Sequence, residues 1–466
     1  MHRQLIVLAS LAFTLAVWTA APAAADDVWL VDGGLVLAMD QAGTLIPAGA
    51  VAIRANRIEA VGTSADLAKR YPAARRLDAT GRIVMPGLIN THTHVPMTLF
   101  RGFADDLDLK GFLYGRIFPA EARFVDEEFV RWGTRLACLE LLQGGVTTFV
   151  DMYYFVDAIA EEAARCGMRA VVGEGLIDFP APDFKTWDEG IATTERLLER
   201  WRGHPLITAA PAPHAAYTVS PEHLKAAHAL AEKYNAPMLM HLAEAPAEVQ
   251  MIREKYGMGP VEFVASLGIL DDRVVAAHTV WPTPAEIALL ARGGVGVAHC
   301  PQSNMKTGAG VAPVPAMLAA GVAVGLGTDG AASNNDLSLW EEIDTAAKLH
   351  KLAAGDPTVL PARAALAMAT RLGAKAVGLD REIGTLEVGK RADIILVRTD
   401  AFHQIPGYDP YSLLVYATKA SDVDTAIIDG QVVMTGGRVL TINESAVREH
   451  AAAYRDRIAA SSTQGR

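Results

Sequence analysis

The chain has 466 residues, 51% of them hydrophobic and 20% charged, an ordinary globular composition that excludes a disordered chain or a membrane bundle. Its formal net charge of −11 leaves no basic footprint for nucleic acid; solubility is the plain consequence of such a charge. Three cysteines, Cys138, Cys166 and Cys300, cannot all pair, and their spacing matches no zinc-finger or CxxC pattern.

In chain order, Arg3 is followed by an apolar run over residues 5–18 and by the small residues Ala23-Ala24-Ala25. This pattern predicts a signal peptide over residues 1–25, cut after Ala25, and hence export to the periplasm or beyond. The competing reading, an uncleaved anchor, asks for a longer apolar span. No cysteine follows the run to carry a lipid. No later segment holds 18 uninterrupted apolar residues, so no stable membrane association is expected once the leader is gone.

Residues 26–82 read as short strands with turns, at 28–37, 51–54 and 57–61. After Gly81 the character changes to β-rich runs alternating with helical patterns, the signature of parallel βαβ units. Eight strands are predicted, at 88–92, 147–151, 169–173, 207–210, 237–241, 274–278, 295–299 and 322–329. Helical segments fall at 127–142, 158–166, 193–201, 221–234 and 284–291. Eight such units predict a (β/α)₈ barrel over residues 83–380. Strands at 392–397, 425–428 and 432–434 resume the earlier character, so 381–442 is expected to join 26–82 in one small composite β-sandwich. Residues 443–466 are left as a C-terminal helix and tail. Cys138 falls in an apolar helix as core filler, and Cys300 follows a strand-end histidine, placed to line the site. A Cys138–Cys166 bridge is left open for an exported chain.

Polar residues gather where the predicted strands stop: His92 and His94, Asp151, Glu174, His214, His241, His278, His299 and Asp329. In a (β/α)₈ barrel these ends line one mouth, so residues over two hundred positions apart meet there. His92 and His94 are two apart on a strand and face the same side, as chelation requires. With His241 and Asp329 they make three imidazoles and one carboxylate, a set for Zn²⁺ that Fe²⁺ also accepts. Such a metal, with an open position, lowers the pKa of bound water to about 7. Asp329 is then placed both to touch the metal and to accept the proton of that water. Glu244, three residues after His241, is a candidate proton shuttle. His278 is either a further ligand or a group that orients the hydrolytic water, and the second reading is preferred because four ligands are already supplied.

The segment Pro86-Gly87-Leu88-Ile89-Asn90-Thr91-His92-Thr93-His94, then His241-x-x-Glu244, His278 and Gly327-Thr328-Asp329-Gly330-Ala331-Ala332-Ser333-Asn334-Asn335 resemble the amidohydrolase superfamily. The match is nearest to its methylthioadenosine/S-adenosylhomocysteine deaminase group, and it runs from about Trp29 to Leu440. Gly384-Thr385-Leu386-Glu387-Val388-Gly389-Lys390-Arg391-Ala392-Asp393 is similar to that superfamily's return into its composite sandwich. The resemblance implies one divalent metal, usually zinc, on His92, His94, His241 and Asp329, with Glu244 as proton shuttle and His278 at the water. It implies that Glu121 holds ribose hydroxyls and that His214 contacts the purine. The chain departs from the group at Phe112, where Trp is frequent. It departs again at Glu174, near the place where an Arg would meet the amino-acid carboxylate of S-adenosylhomocysteine. Glu174 is accordingly expected at the far end of the pocket.

The reading is a hydrolytic deaminase that attacks C6 of an adenine nucleoside (methylthioadenosine, adenosine or S-adenosylhomocysteine) and releases ammonia. The nearest competitor is an amidohydrolase for another heteroaromatic ring: a free base, a pterin or a triazine. A competitor of another class is an exported binding protein that lost catalysis, against which the full ligand set and Glu244 argue. The only partner read from the chain is a small-molecule substrate, with a homo-oligomer left open.

Overall fold

The eight apolar runs become eight parallel strands in a computed structural model that describes residues 28–462. The predicted leader lies outside the described residues. The strands are β1 (Leu88–Thr93), β2 (Val146–Tyr153), β3 (Arg169–Leu176), β4 (Ile207–Pro213), β5 (Met238–Leu242), β6 (Val274–His278), β7 (Gly296–His299) and β8 (Ala323–Leu326). They pair in chain order as β1 to β4 and β5 to β8. Backbone bonds bridge both seams: His241 N–H donates to the His214 carbonyl at 2.9 Å, and Asp329 N–H to the His92 carbonyl at 3.0 Å. The sheet therefore closes into a barrel. Its strands are buried on both faces, which is why they read as continuous apolar runs rather than alternating ones. Inside, Ile89, Val150, Met152, Val171, Ala210, Ala212, Leu239, Val275 and Ala298 form one cluster, a packed core rather than a pore.

The boundaries differ from expectation where the chain turns sharply. The eighth strand stops at Leu326, three residues short of Asp329, whose left-handed backbone (φ 62°) cannot continue a strand. Strands β2 and β3 run further than predicted, to Tyr153 and Leu176, because their polar ends still pair in register with each other.

Both chain ends contribute to a single nine-stranded sheet beside the barrel. Its N-terminal part includes Leu45–Arg54 and Arg57–Thr63, and also Arg75–Asp78 and Arg82–Pro86, which the sequence reading missed. Its C-terminal part is Ile394–Arg398, Val423–Ile428, Gln431–Thr435 and Arg438–Val439. Strand Arg82–Pro86 pairs with Ile394–Arg398 and joins the two halves. Period-2 alternation decides the faces. Val84, Ile394 and Leu396 enter the sheet's own core with Val31, Val51 and Ile53. Ile83, Met85, Ile395 and Val397 face the barrel core instead. A buried Arg169–Asp393 pair at 2.7 Å ties the foot of β3 to this sheet.

Cys138, Cys166 and Cys300 are free and buried. Cys138 and Cys166 lie thiol against thiol, and both are free in this structure. Cys300 turns its thiol to the Ala298 carbonyl, away from the cavity described below. Among the described residues no helix is long and apolar enough to cross a membrane.

Candidate active site

The strand ends bring the predicted ligands together. His92, His94 and His241 offer ring nitrogens within 4.8 Å of one another, as do His92, His278 and a carboxylate oxygen of Asp329. Asp329 Oδ1 lies 3.3 Å from His94 Nε2 and 3.5 Å from His92 Nε2. His241 Nε2 is 3.4 Å from His94 Nε2. Two imidazoles are aimed from behind: His94 Nδ1 donates to the Met152 carbonyl at 2.6 Å, and His241 Nδ1 to the His214 carbonyl at 2.9 Å. Each bond puts the proton on Nδ1 and leaves the Nε2 lone pair facing the centre. His92 Nε2 is buried with no hydrogen-bond partner, an orphan that a cation at the centre would satisfy. Asp329 is held by Ser303 at 2.7 Å, Ser333 at 3.0 Å and the Gly330 N–H at 2.7 Å.

The charges at this centre fit a cation. Burial, above all, pulls His92 down to about 4. At His94 burial also pulls downward, but the Asp329 carboxylate overrides it and pushes the group up to about 9. Asp329, despite burial, is held well below the usual carboxylate range by His92 and His94. The carboxylate thus demands a positive charge among imidazoles that burial otherwise keeps neutral. Three nitrogens, one of them orphaned, and one carboxylate together fit a divalent metal.

Glu244 is buried, and its backbone is fixed by a residue the sequence reading missed. Glu248 accepts the N–H groups of Ala243 at 2.9 Å and Glu244 at 2.7 Å. Its only sequence signal is its place one turn along, in the helix Pro246–Tyr256. Burial raises the Glu244 carboxyl, with His278 opposing; His278 Nε2 stands 3.9 Å from Glu244 Oε1. His278, with a left-handed backbone (φ 68°), is itself aimed by Asn304 Oδ1 at 3.0 Å. Both readings of His278 are compatible with this placement. Asp151 is a further anchor: it accepts from the Val95 N–H and from Thr93 Oγ1 at 3.1 Å, and so fixes the loop after β1.

One cavity of about 690 Å³ opens over this centre, and His94, His241, His278, Asp329, Glu244, His214, Phe112 and Glu121 all line it. Glu121 is 5% exposed, and burial pushes it up to about 7 against the opposing Tyr153 hydroxyl and His94. His214 is turned by Thr218 Oγ1 at 2.9 Å, and burial lowers it to about 3. The outer wall comes from residues 112–118 and from Ile177, with Phe118 and Phe179 in edge contact at 5.8 Å.

Besides Cys300, two expected residues are not brought here. His299 turns to His350, 3.2 Å away, under the barrel wall. Glu174 is a correction: it lines a separate hollow with Asp183 and Arg196. The inward register of β3 belongs to Gly173, where a Cβ would meet Ala212 and Leu239, and to Gly175, which lines the cavity. The residue between them faces the helices.

Comparison with known proteins agrees with this architecture. The amidohydrolase family model matches residues 83–433, and a bacterial imidazolonepropionase-like composite domain matches 49–74. A 5-methylthioadenosine/S-adenosylhomocysteine deaminase of Syntrophobacter fumaroxidans is 49% identical, covering 91% of this chain and 96% of its own length. A zinc-bound adenosine deaminase structure from Xanthomonas campestris is 39% identical with a TM-score of 0.91, over 93% of this chain and 98% of that one. A zinc complex of atrazine chlorohydrolase from Arthrobacter aurescens is 28% identical with a TM-score of 0.85, over 91% and 99%. By barrel, by strand-end ligands and by similarity across most of its length, the chain belongs to the amidohydrolase family.

Proposed function

We propose that this protein is a metal-dependent hydrolytic deaminase of adenine nucleosides, acting at C6. The observation that carries it is one cavity holding the His/Asp cluster, Glu244 and Glu121 together. A divalent ion, Zn²⁺ for preference, would be held by His92, His94, His241 and Asp329 and would supply a hydrolytic water of lowered pKa. Glu244, kept protonated more readily by burial, gives its proton to the ring nitrogen beside C6. As a carboxylate it then takes the proton of the new C6 hydroxyl and passes it to the amino group, which leaves as ammonia while the C6 carbonyl forms; the proton that Asp329 takes from the water restores Glu244 for the next turnover. Asp329 accepts the water's proton, and His278 directs a ring nitrogen to the same point. Glu121, as a carboxylate, accepts both ribose hydroxyls, which would select nucleosides over free bases. Phe112, Leu113, Ile117, Phe118 and Ile177 line the cavity and offer an apolar wall to a 5′-methylthio group.

The named activities of the deaminase relatives support this reading, while the triazine-type neighbour marks the main competitor. A screen of adenosine, methylthioadenosine and adenine for ammonia release, and of a chlorotriazine for chloride release, with metal-loaded protein decides between them. If adenine or the triazine is turned over best, the nucleoside reading falls. We also propose export, on the strength of residues 1–25; fractionation that finds the uncut chain in the cytosol would refute it.

A further inference from the structure

Behind the ribose end of the cavity lies a pair of acids that the proposed chemistry does not use. Glu174 is 1% exposed and sits in register with Tyr153 of the neighbouring strand. Its carboxyl group accepts from the Val156 N–H and lies against Asp183, in the loop after β3. Asp183 Oδ2 accepts the Phe155 N–H at 2.6 Å. Phe155 is left-handed (φ 52°) and provides no side-chain cap for the helix it begins, Val156–Cys166. The two acids supply that cap from outside, satisfying N–H groups that the helix cannot. Glu174 Oε1 and Asp183 Oδ1 are buried without a hydrogen-bond partner.

The segment that these acids hold is the corner of Tyr153, Tyr154 and Phe155. Tyr153 and Tyr154 both line the cavity, with ring centroids 5.1 Å apart. Tyr153 shares the cavity wall with Glu121, near enough for its hydroxyl to lower the Glu121 carboxyl, though that hydroxyl is buried without a hydrogen-bond partner; Tyr154 is raised by burial first and then by Glu121, Asp183 and Glu174. The loop that carries Asp183 also brings Ile177 to the cavity wall. Cap, corner and Glu121 are thus neighbours along one wall of the cavity.

Resting on the reading of Glu121 as the ribose group, we propose that Glu174 and Asp183 are positioning residues that hold the Tyr153 corner against Glu121 and so set the affinity for ribose hydroxyls. The test compares adenosine with 2′,3′-dideoxyadenosine on wild type, Glu174→Ala, Asp183→Ala and Glu174→Gln, each with its metal content measured. The alanine variants are expected to raise KM for adenosine about tenfold, the scale of one lost hydrogen bond, with kcat little changed. KM for the dideoxynucleoside, which has no hydroxyl for Glu121, is expected to stay within about twofold of wild type. Glu174→Gln, whose amide accepts from Val156 and donates to Asp183, should restore adenosine binding. Asp183→Ala, a change in a part-buried loop residue, carries the same test if Glu174→Ala fails to fold. Equal losses on both nucleosides, no loss on adenosine, or no rescue by glutamine overturns the assignment. A wild type inert on both nucleosides overturns the reading of Glu121 along with it.

Discussion

Replacing Glu244 by Gln separates proton transfer from every other duty at this centre. The amide is isosteric with the acid. The turn that holds it is fixed through backbone N–H groups bound to Glu248 at 2.9 and 2.7 Å, which the substitution does not touch. The ligands His92, His94, His241 and Asp329 are held by their own partners, so metal content should be unchanged. The variant loses the ability to pass a proton to the ring nitrogen and on to ammonia. General acid–base catalysis contributes about 10²–10⁴-fold, so kcat should fall by that factor, about 3–5 kcal/mol of barrier. KM should change little, because an amide still hydrogen-bonds the ring. The assay is ammonia release under saturating adenosine, with metal measured on the same preparation. Full metal content with turnover near wild type would show that Glu244 is a loop residue and that the proton travels elsewhere.

Purified protein should carry about one transition metal per chain, as one four-ligand site requires, and chelation should abolish deamination; no bound metal with unchanged activity would refute the site. Glu121→Gln should lower kcat/KM for adenosine by about tenfold to a hundredfold, the weight of hydrogen bonds to a charged group, while sparing free adenine; intact nucleoside selectivity would refute the ribose role. The third expectation concerns stability. Glu174 is raised well above its usual 4.5, by burial first and Asp183 next. Above pH about 4.5 the folded chain therefore keeps a proton that the unfolded chain releases, so this group costs stability as pH rises. Melting temperatures of wild type and Glu174→Gln should converge near pH 4.5 and separate by about pH 8 with the variant higher; parallel curves would refute the buried proton.

The barrel was legible because burial on both faces writes itself as uninterrupted apolar runs, and the ligands because strand ends converge whatever their distance along the chain. His92, His94, His241 and Asp329 needed only those two rules. What stayed hidden depends on direction at a turn. Glu174 and Gly175 are adjacent in sequence, yet one faces the helices and the other the cavity; which does which follows from register with β2, and register is not written in β3 alone. Glu248 was missed for a different reason. A buried acid on a helix announces nothing until the two N–H groups it serves are seen. Strand Arg82–Pro86 escaped because its pairing partner, Ile394–Arg398, lies some three hundred residues away.

The division of labour in the site follows from how much placement each task tolerates. Metal ligation needs nitrogens and an oxygen set to a few tenths of an ångström, and the four proposed ligands sit on barrel strands or within three residues of their ends. Glu244, the proposed proton shuttle, is one step further out, on a turn whose N–H groups Glu248 holds. The outer cavity walls stand on loops and short helices, with Phe112, Leu113, Ile117, Phe118 and Ile177 among their residues, where a change alters shape without disturbing the centre. A barrel organised this way can keep one hydrolytic apparatus and exchange substrates by altering the outer ring. On the proposed reading the Glu121–Tyr153 corner, rather than the metal, would select the nucleoside, and the acid pair behind that corner would set how firmly the choice is held.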